Sequence, residues 1–301
     1  MDDAQGEQAM VLDAIGKWLD RDLRPHVLAL DHADEYPAEM LEQVKALGLF
    51  GATIPAEYGG LGLTAATYVR LIEKIAAVWM ALTGIINSHL IMAARVARHG
   101  SQSQRAAFLP KFATGAVRDG DDYVINGTKT RISNGIPATD LIGLAEGHGM
   151  QHALSGLELG RINIAARGCG LASAALMDRV HYAQRRKTFG KPIARHQAIQ
   201  LKLGEMATRL QAARLLTYDA ARADDSGARC HMEAGMAKYF ASEAAVENAL
   251  EAMRIHGGYG YSKDYHILRY CRDAPLMCIG EGTNEIQRMI IAKQLFERNP
   301  A

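Results

Sequence analysis

Ile199, Leu203, Met206, Leu210 and Ala213 recur in alternating steps of four and three. That spacing lays one apolar stripe along a helix, and the stripe needs a second helix to cover it. Met232, Met236, Tyr239, Val246, Leu250 and Met253 form a second such stripe. The C-terminal half is therefore expected to pack helix against helix, with the methionines as adaptable core filler.

The N-terminal part has the same helical period. Met40, Leu41, Val44 and Leu47 keep it through Asp34 to Phe50, where Gly48 is a stop signal. Further helical runs go from Ala65 to about Ala77 and from about Asn87 to His99, ending at Gly100. The pattern then changes. Asp119-Gly120 and Asn126-Gly127 are hairpin-turn dipeptides, with β-favouring Tyr123-Val124-Ile125 between them. Three or four short strands in a meander are expected there, and so small a sheet has open edges that helices or another subunit must cover. The expected architecture is mainly α, with an N-terminal helical domain at 1–115, a reduced middle β domain at 116–146 and a C-terminal four-helix bundle at 147–301.

A net charge of +1 over 301 residues offers no strong field for nucleic acid or anionic lipid. The N-terminus, MDDAQGEQ, is acidic and polar, unlike a targeting peptide. Trp79 to Ile86, the most apolar stretch, is too short to span a bilayer. Cys169, Cys230, Cys271 and Cys278 show no CxxC pairing, and HExxH does not occur. Reduced thiols, no metal and a cytoplasmic location follow as expectations. A di-metal bundle would need Glu-x-x-His pairs, which are not found.

Three stretches carry chemistry. In "GEGTNEIQR", Glu281 lies between Gly280 and Gly282, and Asn284 and Gln287 stand at capping-box spacing, so a helix is expected to begin at Asn284. On spacing alone a solvated loop carboxylate is the commoner outcome for Glu281. In "RIHGGYGYSKDY", Gly257, Gly258 and Gly260 follow a long helix. They read as a helix C-terminus turning through glycines, or as a surface for a flat or phosphorylated ligand. In "QRRKTFGKPIARHQ", Phe189-Gly190 interrupts a run with Arg185, Arg186, Lys187 and Lys191. That run is either a solvated face or an aromatic shelf ringed by cations. His196 reads as a hydrogen-bonding histidine.

Taken together, and with "IPAEYGGLGL" (Ile54 to Leu63) and "YVINGTKTRISNG" (Tyr123 to Gly135), these stretches resemble the acyl-CoA dehydrogenase family. The resemblance implies FAD-dependent α,β-dehydrogenation of an acyl-CoA thioester, with electrons passing to an electron-transfer flavoprotein. Glu281 matches the family's catalytic base. Some members place the base on an earlier helix, where this chain has Gly160. Glu158, Arg161 and Gly282 match substrate-side positions. Arg186, Thr188, Phe189, His196 and Gln197 match residues that reach the cofactor of a neighbouring subunit. Arg254, Gly257 and Gly258 match another such contact, and Thr283 and Glu285 follow the base onto the flavin nucleotide. A cofactor held between chains implies a homo-oligomer, a dimer or tetramer.

The chain also departs from the family pattern. Gly115 passes straight to "AVRDGDDYVING", without the Thr-Glu-Pro…Gly-Ser-Asp segment that binds the flavin ring, and "TDLIGLA" jumps to "EGHGMQHALSGLELGR". Arg131 stands where members place an aromatic near the flavin, with Ser133 in the expected hydroxyl position. Arg254 replaces a usual Gln. A pocket lacking one wall predicts weak flavin retention and lowered activity. The alternative is a catalytically weak or inactive helical scaffold of the same descent, binding CoA compounds or partner chains.

Overall fold

The computed structural model of the chain describes residues 2–34, 36–114 and 157–300. The expected β meander, with Arg131 and Ser133, lies outside the described residues. The helices are α1 (Asp2–Trp18), α2 (Val27–Ala33), α3 (Ala38–Ala46), α4 (Ala65–His99), α5 (Gln102–Ala113), α6 (Leu157–Arg185), α7 (Gln197–Asp225), α8 (His231–His256), α9 (Ile267–Ile279) and α10 (Asn284–Arg298). A two-residue antiparallel pair, β1 (Lys187–Thr188) and β2 (Lys191–Pro192), turns the chain from α6 into α7. The mainly α class agrees with the expectation.

The α3 helix stops where Gly48 takes φ 70°. The two runs expected after residue 65 are one helix, α4, bent at Trp79 with φ −151° and ψ 104°. The stretch between them is helical because Val78 to Met80, Leu82, Thr83 and Ile86 are buried, and burial outweighs local propensity. By length and composition α4 could cross a membrane, with mean hydropathy 1.6, although 56% of its most apolar window is buried inside the fold. Its first turn is closed from the far half of the chain. The Asp225 carboxylate, at the end of α7, accepts from the Ala65 and Ala66 amides at 2.5 and 2.9 Å.

The axis of the molecule is α6, in which every residue from Glu158 to Ala172 is buried. Glycine permits this. A Cβ at Gly168 would stand 2.7 Å from the Ala241 carbonyl of α8, and one at Gly170 would stand 2.6 Å from the Glu73 carbonyl of α4. Backbone meets backbone at both crossings, so no larger residue fits.

On α7 the expected stripe faces inward, with Met206, Leu210 and Ala213 buried and Ile199 and Leu203 packed at its edge. On α8 the expectation fails. Met232, Met236, Tyr239, Val246 and Met253 are half-buried and Leu250 is exposed, while Ala234, Ala237, Ala241, Ala245, Ala249 and Ala252 are fully buried or nearly so. The α8 helix packs against α6, α7, α9 and α10, and small side chains let so many helices come close. The larger apolar groups occupy the grooves between them.

Candidate active site

Glu281 sits in the turn between α9 and α10 with φ 54°, one of three non-glycine residues at positive φ among the described residues. The left-handed region costs such a residue on the order of 1–2 kcal/mol, so the surroundings must hold it there. Gln287 does so from the first turn of α10. Its Nε2 donates to the Glu281 carbonyl at 3.1 Å and to the Gly282 carbonyl at 3.0 Å. The expected start at Asn284 is correct, but the capping box does not form. Thr283 is the cap, its Oγ1 accepting from the Ile286 amide at 3.5 Å. Asn284 is buried instead as a hub: its Oδ1 accepts from Lys238 at 2.7 Å and Ser242 at 3.1 Å, and its Nδ2 donates to Glu243 at 2.7 Å.

This turn aims the Glu281 side chain at α6. A Cβ added at Gly160 would lie 2.7 Å from Glu281 Oε2 and 2.9 Å from its carboxyl carbon. The absence of a side chain at 160 is what admits the carboxylate. Beside it, a Cβ at Gly280 would meet Ile164 Cδ1 at 3.3 Å, so Ile164 borders the space that a larger residue at 280 would enter. Arg161 is buried next to Gly160, with Nε and Nη1 unpartnered. Burial lowers its proton affinity, while Glu158, Glu281 and Cys230 oppose the shift. Glu158 Oε1 accepts from the Cys230 amide at 3.3 Å and pairs with His231 Nδ1 at 2.9 Å.

Two residues near this end carry no family match in the sequence reading. Asn163 is fully buried, and its Nδ2 donates to Tyr68 Oη at 2.8 Å. Arg167 is 6% exposed, and its Nη2 rests on Met80 Sδ at 2.9 Å. Positions 160, 163, 164 and 167 share one helical face. That spacing was the sequence signal that would have found them.

Apart from Thr283 and Glu285, which follow Glu281 at the start of α10, the other expected cofactor residues gather at the opposite end of α6. Gly160 and Arg185 are 25 residues apart in that helix, roughly 38 Å at 1.5 Å per residue. Thr188 Oγ1 is 3.1 Å from His196 Nε2. Phe189, at φ 49°, is 95% exposed, with the His196 ring edge-on at 6.1 Å. The Arg186 guanidinium lies 5.5 Å over the Tyr259 ring, which joins the β1–β2 turn to the glycines after α8. A Cβ at Gly257 or Gly258 would meet nothing within 4 Å. Gln197 opens α7 as an exposed residue. Arg254 is held by Glu251, which also binds Lys202. Glu285 is exposed and pairs with Arg288 at 3.0 Å. A cleft of about 570 Å³ opens at this end between Tyr182, Arg186, His256, Tyr259 and Tyr265. His256 stacks on Tyr182 at 3.6 Å. Burial, then Arg179, holds its imidazole down to about 3.

Known proteins resemble this chain along nearly its whole length. Residues 5–116 match the model of the acyl-CoA dehydrogenase N-terminal domain, and residues 147–296 match that of the C-terminal domain. An acyl-CoA dehydrogenase of Bacillus subtilis is 32% identical over 96% of this chain and 98% of its own length. The chain belongs to the acyl-CoA dehydrogenase family. The fold agrees with a solved glutaryl-coenzyme A dehydrogenase in complex with glutaryl-CoA, at 28% identity and TM-score 0.88, covering 97% of this chain and 95% of that one. It also agrees with a chain in the structure of the electron transferring flavoprotein of Acidaminococcus fermentans, at 28% identity and TM-score 0.90, covering 96% and 97%. The B. subtilis alignment runs over 372 positions, more than the 301 residues present here. That relative therefore has stretches without a counterpart in this chain. Acyl-CoA dehydrogenases are FAD-dependent flavoprotein oxidoreductases.

Proposed function

We propose that this chain dehydrogenates an acyl-CoA thioester to the trans-2-enoyl-CoA, with Glu281 as the base that takes the α-proton. The observation that carries the reading is the Glu281 carboxylate, fixed by a strained turn against the bare backbone of Gly160. A base held in one place spends little freedom on reaching its proton. Enclosure against α6 limits the water that would compete for the carboxylate. Glu158, Arg161 and Gly282 are assigned to the substrate side. The Glu281 amide is assigned to the thioester oxygen, where a backbone N–H stabilises developing charge.

The residues at the far end of α6 fit FAD. Phe189 offers an exposed ring, Arg186 a cation, and Gly257 and Gly258 leave backbone open to a nucleotide. When bound, FAD supplies the acceptor for the β-hydride. No dinucleotide spans the roughly 38 Å between that end and Gly160. One chain's Arg186, Thr188, Phe189, His196, Gln197, Arg254, Gly257 and Gly258 therefore serve a partner chain's cofactor, while Thr283 and Glu285 serve their own. A homo-oligomer follows, with an electron-transfer flavoprotein as electron acceptor and a cytoplasmic location.

The test is anaerobic bleaching of bound flavin by acyl-CoA. Wild type bleaches, and Glu281→Gln bleaches at least about a thousand-fold more slowly at unchanged flavin content. Full-speed bleaching by that variant removes Glu281 as the base. The shorter middle segment favours a second reading, a flavin-poor scaffold. A colourless protein unmoved by added FAD supports that reading.

A further inference from the structure

Arg167 has no part in the chemistry assigned to Glu281, yet α6 buries it two turns beyond Gly160. Seven helical positions return a side chain to nearly the same face, about 10 Å further along the axis, and helical side chains lean back toward the N-terminus. Arg167 therefore leans toward the glycine that admits the Glu281 carboxylate. It is 6% exposed. Among the described residues its one hydrogen bond is from Nη2 to the Met80 thioether at 2.9 Å, a weak acceptor, and Nε has no partner.

A guanidinium buried with so weak an acceptor and an unpartnered Nε is destabilising in a protein interior. Burial lowers it only to about 10, with Tyr68, Glu281 and Asp273 opposing the shift, so it remains charged at neutral pH. The opposite wall, α4, carries Gly84 at this level, where a Cβ would stand 3.4 Å from Nη2. Between the base and the arginine on the same face lies Asn163, whose Oδ1 is also buried without a partner. An ordinary fatty acyl chain would need an apolar lining here. The seam instead holds a cation and an amide, both with unused hydrogen-bonding capacity.

We propose that Arg167 is a specificity residue, taking the far carboxylate of a short dicarboxylic acyl chain whose other end is the CoA thioester. The inference rests on the acyl-CoA reading of Glu281. A charge-assisted pair with an entering carboxylate satisfies the buried guanidinium that the fold leaves open.

The test is equilibrium binding by calorimetry, using S-carboxyalkyl-CoA and S-alkyl-CoA thioethers of matched length. These carry no thioester carbonyl, so binding is read without turnover. Wild-type protein is expected to prefer the carboxylate-ended series by about thirty-fold. Arg167→Met should cut that ratio below about three-fold, and Arg167→Lys, which keeps the charge, should retain part of it. A merely structural arginine would weaken both series together and leave the ratio in place. Equal or tighter wild-type binding of the alkyl series overturns the proposal, as does a ratio that survives Arg167→Met. If the ratio is one while Glu281→Gln still blocks bleaching, the Arg167 assignment fails and the dehydrogenase reading stands. If neither series binds, both fall.

Discussion

The two ends of α6 are built on opposite principles. At the Gly160 end the carboxylate proposed as the base is locked in place. Glu281 is strained, Gln287 holds its carbonyl, and the Lys238–Asn284–Ser242 hub fixes the start of α10. At the Arg186 end the candidate groups are displayed rather than locked, with Phe189 95% exposed and nothing within 4 Å of a Cβ at Gly258. On the proposed reading, a single chain is complete around Glu281 and only half complete around a nucleotide. Strain and close approach mark the part of a site that one chain builds alone. On the same reading, exposed aromatic and cationic groups mark the part left for a partner to complete.

The sharpest way to break this contrast is to put a methyl group at the locked end. Gly160→Ala sets a Cβ at 2.7 Å from Glu281 Oε2, so the carboxylate must move. A displacement of about 1 Å at a reacting group costs on the order of 100-fold in rate. Alanine also favours a helix interior by up to about 1 kcal/mol over glycine. Turnover is therefore expected to fall about 100-fold while the melting temperature holds or rises. Wild-type turnover in Gly160→Ala would show that the contact has no bearing on catalysis.

The displayed end gives the converse result. Phe189→Ala removes an almost fully exposed ring, so stability should stay within about 0.5 kcal/mol. Loss of one stacking platform weakens flavin by about ten-fold, read as the dissociation constant in a titration with FAD. Unchanged flavin affinity would leave the Phe189 shelf without a role.

The contrast also explains what could be read from the sequence. Both ends were legible as motifs because their chemistry is local: Glu281 among glycines, and Phe189-Gly190 among cations. The stripe on α7 was legible because one face of that helix meets the core. The inward face of α8 was not, because it is built from alanines, which carry little periodic signal in an alanine-rich helix. The fusion of α4 across Trp79 depends on burial that only the assembled fold supplies. The capping role of Thr283 in place of Asn284 follows from Lys238 and Ser242 recruiting the asparagine from another helix, and no window around residue 284 contains them. Arg167 was visible as a residue but not as a buried one, since one arginine in a helix is usually solvated.

The last expected effect concerns how the locked end responds to pH. Lys238 is fully buried, and its Nζ donates to the Cys278 carbonyl at 2.9 Å and Asn284 Oδ1 at 2.7 Å. Burial pushes its ammonium from the ordinary 10.5 down to about 8, with Cys278, Glu285 and Glu243 opposing the shift. Between those values the unfolded chain binds a proton that the folded chain has lost, so this residue makes stability rise with pH across that window. Below about 8 both states hold the proton, and the contribution is flat. The difference in unfolding free energy between wild type and Lys238→Met should therefore be constant below pH 8 and grow in favour of wild type toward pH 10.5. Urea unfolding at stepped pH measures it. A difference that stays level through that window would mean the lysine is not desolvated in solution. The turn carrying Glu281 would then be wetter, and less firmly held, than its contacts imply.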